Sequence, residues 1–103
     1  MNNYNVIYTP HARANALRIV SYMQNILLSN QAARNFISKL KEKETAIAKN
    51  PYGYQEKFFG RALYRKATVG QYIIAFRIEE TAHTVHIIAI GHSRQKRRNI
   101  IKH

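Results

Sequence analysis

Residues Gln71-Tyr72-Ile73-Ile74-Ala75-Phe76-Arg77-Ile78 decide the fold. The run is rich in β-branched and aromatic residues, and its side chains divide by twos. Tyr72, Ile74, Phe76 and Ile78 share one face, and Gln71, Ile73, Ala75 and Arg77 share the other. A period of two predicts a strand over 71–78, with the first set as the better core face. Downstream, residues 79–82 read as a short turn and 83–91 as a second strand. That strand is apolar on both faces at Val85, Ile87, Ile88 and Ile90, which predicts a central position. Upstream, 62–68 reads as a third strand, joined through Val69-Gly70. Connections this short make an antiparallel meander.

Further upstream the period changes to 3.6. Thr9-Pro10 reads as an N-cap followed by proline at the first helical position, where a missing N–H costs nothing. Ala12, Ala16, Ile19, Met23 and Ile26 or Leu27 then recur on one stripe, predicting a helix over 10–28. Ser29-Asn30 breaks it and caps a second helix over 30–49, with Ala32 or Ala33, Phe36, Ile37, Leu40 and Ile47 as its apolar stripe. Lys39, Lys41, Glu42, Lys43 and Lys49 sit mostly on its wet side. Asn50-Pro51 ends it, because the residue before proline avoids helical geometry. Residues 51–54 read as loop, with Tyr52 and Tyr54 packing on the second helix. Tyr4-Asn5-Val6-Ile7-Tyr8 reads as a short opening strand.

The resulting order is β-α-α-β-β-β, an α+β fold in one domain over residues 1–103, with 94–103 as a basic tail. A helical hairpin packs on one face of an antiparallel sheet, burying Ile19, Met23, Phe36, Ile37 and Leu40 against Tyr72, Ile74 and Phe76. The other face is left partly open and offers a place for a site.

Composition narrows the function. The 103-residue chain has no cysteine, which removes disulfide scaffolds, zinc ribbons and thiol catalysis. No apolar run approaches the roughly 20 residues of a membrane helix, and no secretory signal opens the chain, so a cytoplasmic protein is expected. All five acids are glutamate, so a Ser-His-Asp triad is excluded. The four glycines form no phosphate loop. His83 and His86 read as opposite faces of one strand and would not share a metal. No metal and no cofactor are expected.

Charge is the dominant global feature, with 17 Lys and Arg against those five acids, a net +12. Such a chain seeks polyanions or acidic proteins. Arg61, Arg65, Lys66 and Arg77 lie on or beside the strands, and His92, Arg94, Lys96, Arg97 and Arg98 follow the last one. Guanidinium and ammonium groups bind phosphate or carboxylate oxygens, and a histidine among them can move a proton near neutrality. These nine residues are the candidate binding surface. A solvated basic face is the plainer reading of each residue taken singly.

Several segments, in order, resemble the RelE/ParE superfamily of small bacterial toxins. They are residues 4–12 as the opening strand and helix start, Asn50-Pro51-Tyr52-Gly53 at the close of the second helix, Tyr64-Arg65-Lys66 with 69–78 as the hairpin, and 85–94 as the closing strand with its His92-Ser93-Arg94 end. The resemblance implies the toxin of a type II toxin–antitoxin pair, neutralised by an acidic antitoxin encoded beside it. One branch of the superfamily poisons DNA gyrase. The other cuts mRNA on the ribosome. The text around Tyr64-Arg65-Lys66 and His92-Ser93-Arg94 is closer to the ParE-like, gyrase-binding branch. Two basic positions of the nuclease branch fall here at Ala67 and Ile73, and its tyrosine near the C-terminus is missing. If the chain is a nuclease instead, Arg65, His92 and Arg94 are its catalytic candidates. A non-toxic basic nucleic-acid-binding module is the third reading.

Overall fold

The computed structural model describes residues 3–93, so the basic tail lies outside the described residues. The chain forms strand β1 (Asn5–Tyr8), helices α1 (Pro10–Asn25) and α2 (Asn30–Lys49), and strands β2 (Glu56–Phe59), β3 (Ala62–Val69), β4 (Tyr72–Glu79) and β5 (Thr84–His92). Short 3₁₀ turns at Pro51–Gly53 and Glu80–Ala82 lead into β2 and β5.

The two helices pack as expected on one face of a single sheet, of order β1-β5-β4-β3-β2. β2 through β5 form the antiparallel meander. Two features depart from the sequence reading. The sheet is mixed, because β1 pairs parallel with β5, in the register Val6↔Val85 and Tyr8↔Ile87. It also has a fifth strand, β2, in a stretch to which the sequence pattern assigns no element. Four residues beside a Gly-Arg turn give too short an alternation to identify by period alone. That turn starts at Gly60 with φ +67°, and the β3–β4 turn starts at Gly70 with φ +58°. A side chain at either position would be strained.

Both helix starts form as the sequence predicts. The Thr9 and Ser29 hydroxyls accept the Ala12 and Ala32 N–H groups at 3.1 and 3.0 Å. Each cap of this kind contributes about 1 kcal/mol. α1 stops at Asn25, short of the expected 28, although Ile26-Leu27-Leu28 continues the apolar run. The Ser29 N–H reaches back to the Met23 carbonyl at 2.8 Å around Leu28 in left-handed geometry, φ 52°. A left-handed residue just past the helix end is a position usually taken by glycine. Ile26, Leu27 and Leu28 are therefore exposed at the hairpin tip.

The main core joins Ala12 and Met23 of α1, Ala33, Phe36, Leu40 and Ile47 of α2, and Ala67, Val69, Ile74, Phe76, Val85, Ile87 and Ile90 of the sheet. Ile19 and Tyr72 are partly buried against it. Ile37, expected in the core, is exposed, because it sits about 100° around the helix from Phe36 and the buried stripe follows Phe36 and Leu40. The second sheet face has its own small cluster, in which Phe59, Ile73, Ala75 and Ala89 are buried with Tyr64 against them. The middle of that face is thus filled with apolar side chains.

An irregularity in β5 locks the helices to the sheet. Ala75 pairs with Ala89 while Phe76 pairs with Ile87, so Ile88 is an extra residue, a β-bulge. Groups around a bulge leave the ladder and need other partners. Here α1 supplies them: the Thr9 hydroxyl donates to the Ile88 carbonyl at 3.1 Å, and the Asn15 Oδ1 accepts the Ile90 N–H at 3.0 Å. The Tyr8 hydroxyl donates to Glu44 and ties β1 to α2. Burial first, and that carboxylate second, push the Tyr8 pKa far up.

Candidate functional site

The bulge also sets where the sheet opens. β3 and β4 pair from Val69↔Tyr72 to Arg65↔Phe76, and the ladder ends there, at the level of the bulge. Beyond it, Ala62 to Tyr64 pair only with β2, and Arg77 to Glu79 pair only with β5. A bulge sharpens local twist, and the lower halves of β3 and β4 part. The result is a cleft of about 220 Å³ lined by Leu63, Tyr64 and Arg65 on one wall, Phe76, Arg77 and Ile78 on the other, and Tyr52 and Glu56.

The candidate residues are distributed unevenly around it. Arg65, on the helix side of β3, is engaged in structure. Its guanidinium donates to the Tyr54 carbonyl at 2.6 Å, lies 3.6 Å from the Glu56 carboxylate, and sits over the Tyr52 ring at 5.2 Å. Arg77 is exposed and points to the second face, as strand alternation from the core-facing Phe76 and Ile78 requires. Lys66 projects to that same face, half-buried, and Arg61 is exposed in the β2–β3 turn. His92 ends β5 on the helix side, paired with Tyr72. Its Nε2 lies 3.2 Å from Gln71 Oε1, and its ring meets the Tyr72 ring edge-on at 5.4 Å. Arg94, Lys96, Arg97 and Arg98 lie outside the described residues. Arg65 and His92 thus share the helix side but are separated along the sheet, Arg65 lying opposite Phe76 and His92 opposite Tyr72, four residues away on β4, and Lys66 and Arg77 sit on the reverse face.

Two clusters near the cleft were not legible in the sequence. In the first, Glu80 collects the hydroxyls of Tyr4, at 2.8 and 2.9 Å, and of Tyr52. His83 stacks on Tyr4 at 3.8 Å between ring centres, and its Nδ1 is 3.9 Å from Glu80. His83 precedes β5, in left-handed geometry with φ 49°, and so is not the strand residue its spacing suggested. Tyr54 packs on the Phe76 ring in the main core, whereas Tyr52 is half exposed and belongs to this cluster instead of to a patch on α2. In the second cluster, His86 Nε2 lies 2.7 Å from Glu79, with Arg77 as the cross-strand neighbour of His86. Tyr4 and Glu80 are 76 residues apart, and His86 and Glu79 meet only because the turn between β4 and β5 folds them together.

The first cluster gives a pH signature. Hydrogen bonds from Tyr52 and then Tyr4 hold the Glu80 carboxyl below its ordinary 4.5, and Glu80 in turn raises Tyr4 to about 12. A depressed carboxylate stabilises the fold above its unfolded pKa and loses that contribution as pH falls through the folded value. The Tyr4 contribution is complete below pH 10 and fades toward 12. Glu80→Gln is therefore expected to lower the melting temperature at pH 7, with the difference shrinking as pH falls below the ordinary carboxylate range. Paired thermal melts from pH 7 downward check it, and a difference that does not shrink as the pH falls would contradict it.

Among the described residues no group of three His, Cys, Asp or Glu is placed to hold a metal, and no helix is long and apolar enough to cross a membrane. The described residues offer charged and aromatic groups spread around a narrow cleft.

Comparison with known proteins adds the following. Residues 6–97 match the family model described as the ParE toxin of the type II toxin–antitoxin system parDE. Among solved structures, the fold is similar to a chain of the toxin–antitoxin complex RelBE2 from Mycobacterium tuberculosis. The two share 19% identity and a TM-score of 0.65, over 89% of this chain and 93% of that one. A search of curated proteins finds no match.

Proposed function

Since the chain belongs to the ParE toxin family of type II toxin–antitoxin systems, we propose that it is a cytoplasmic toxin that arrests bacterial growth by binding DNA gyrase and is neutralised by an acidic antitoxin. The observation that carries the gyrase reading is the engagement of Arg65 by Tyr54, Glu56 and Tyr52. A phosphodiester-cleaving site needs several cations and a proton carrier converging on one phosphate. Here Arg65 is held internally, Ala67 and Ile73 are buried apolar residues, and His92 is at the far end of the sheet from the cleft. A distributed binding surface accommodates these facts, and the +12 charge suits an acidic partner.

Cleavage of mRNA on the ribosome is the second reading, favoured by one observation: His92 ends β5 next to a segment rich in Arg and Lys. Two assays run side by side on the purified toxin separate the readings. Inhibition of gyrase supercoiling with accumulation of the cleavage complex, and intact mRNA on translating ribosomes, is the expected result. Ribosome-dependent mRNA cutting with unaffected gyrase reverses the choice. Growth unaffected by a folded, soluble product would remove both and leave the nucleic-acid-binding module.

A further inference from the structure

We propose that the groove between α2 and the end of β3 is a binding site for a nucleotide, whose phosphates are held by Lys39 and Lys43 and whose sugar is held by Glu42. The groove shares no lining residue with the cleft between β3 and β4, so it is a separate site and does not depend on the gyrase reading.

The helix supplies one wall. Lys39, Glu42, Lys43 and Ala46 recur at helical spacing, form one stripe of α2, and line the groove together. Among the described residues neither lysine belongs to an ion pair. Lys39 is exposed. Lys43 is half-buried, with its ammonium 5.9 Å from the centre of the Tyr54 ring. An ammonium carries three donors, and one ring face does not satisfy them all. Two cations one helical turn apart can grip a phosphate, or two linked phosphates, from the same side.

The strand supplies the other wall. The Lys66 N–H bonds the Gln55 carbonyl at 3.0 Å, so the even-numbered residues of β3 turn their peptide groups toward the β2 side. β2 pairs with β3 only as far as Arg65. Thr68, further along, therefore points its N–H and carbonyl past the end of β2, at the edge of the groove that it lines. The N–H is a donor for a phosphate oxygen, and the carbonyl is an acceptor for a hydroxyl or amino group. Gly70 follows with φ +58° and brings no side chain to narrow the opening.

Size and polarity choose the ligand. The groove encloses about 460 Å³, within the range of roughly 300–1,000 Å³ that small-molecule sites occupy. A lone phosphate leaves most of that space empty. Glu42, on the same stripe as the lysines, repels a bare polyanion but accepts hydrogen bonds from sugar hydroxyls. Ala46 and Val69 add apolar lining for a base. Two cations, one carboxylate and an apolar patch together match a molecule with phosphates, hydroxyls and a flat ring.

The test titrates the purified full-length chain with ADP, adenosine and pyrophosphate, using calorimetry for affinity and amide shifts in nitrogen-labelled protein for location. ADP is expected to bind about tenfold or more tightly than either fragment, with shifts centred on residues 39–46 and 68–70. Lys39→Gln with Lys43→Gln should weaken ADP by about tenfold or more. Arg13→Gln with Arg18→Gln, which removes the same charge from exposed positions on α1, should not. Glu42→Ala should weaken ADP and leave pyrophosphate unweakened. If a variant does not fold, the shifts on the parent decide alone. Equal loss in the two double variants means diffuse attraction to a basic surface and overturns the site. Pyrophosphate binding as tightly as ADP overturns the nucleotide. Absence of ADP binding, or shifts away from the groove, overturns the proposal and leaves the toxin reading intact.

Discussion

Phe76→Ala is expected to lower the melting temperature by about 20 °C. Phe76 has no exposed surface, lies in the centre of β4, and carries the edge-on contact with Tyr54. Truncating a buried phenylalanine to alanine costs about 3–5 kcal/mol in lost burial and cavity formation. A domain of about 100 residues loses roughly 4–8 °C per kcal/mol. The position magnifies the loss, because Phe76 is where the β3–β4 ladder ends and where the β5 bulge begins. Neighbouring side chains on a strand pinned at both ends have little freedom to collapse into the space. Thermal unfolding followed by circular dichroism measures the shift. A change below about 5 °C would mean that the sheet–helix core does not depend on this contact. The same melt is a control for every functional variant, since a toxin that no longer folds is harmless for a trivial reason.

The second large effect concerns toxicity. Removing all residues after Ser93 is expected to abolish growth arrest, and Arg94→Ala or Arg97→Ala alone should weaken it in steps. The segment contributes Arg94, Lys96, Arg97, Arg98 and Lys102 and no acid, which is five of the 17 basic residues. Each charge-assisted hydrogen bond lost from a binding surface costs about 1–3 kcal/mol, so single changes leave partial affinity and deletion leaves none. A nuclease centred on His92 behaves otherwise. Loss of one general acid–base group lowers the rate by about 10²–10⁴-fold, and His92→Ala alone would then silence the toxin while antitoxin binding survives. His92 is also hydrogen-bonded to Gln71 and packed on Tyr72, so the His92→Ala protein needs a parent-like melt before its toxicity is read. Growth curves with each variant under an inducible promoter, beside the gyrase and mRNA assays, give the answer. Complete silencing by His92→Ala together with mRNA cutting by the parent would replace the gyrase reading.

The fold was legible in the sequence where it depends on near neighbours. Period two over 71–78, period 3.6 before it, the Thr9-Pro10 and Ser29 starts and the Asn50-Pro51 stop are each written within a few residues, and each formed as expected. The family resemblance came from the same local strings. The net charge needs no fold at all. Tertiary structure decided everything that depends on distant partners or on fine phase. The parallel pairing of β1 with β5 joins residues some 80 positions apart. Ile37 and Phe36 are both apolar neighbours on α2, and only the angle at which the helix meets the sheet buries one and exposes the other. Arg65 and Arg77 read alike as basic strand residues. Arg65 faces the helix layer, where Tyr54, Glu56 and Tyr52 engage it, and Arg77 faces away. Strand alternation fixes that two such residues separated by a turn point somewhere definite. Only the pairing register, shifted by one extra residue at Ile88, sets which groups end up beside them and where the sheet parts.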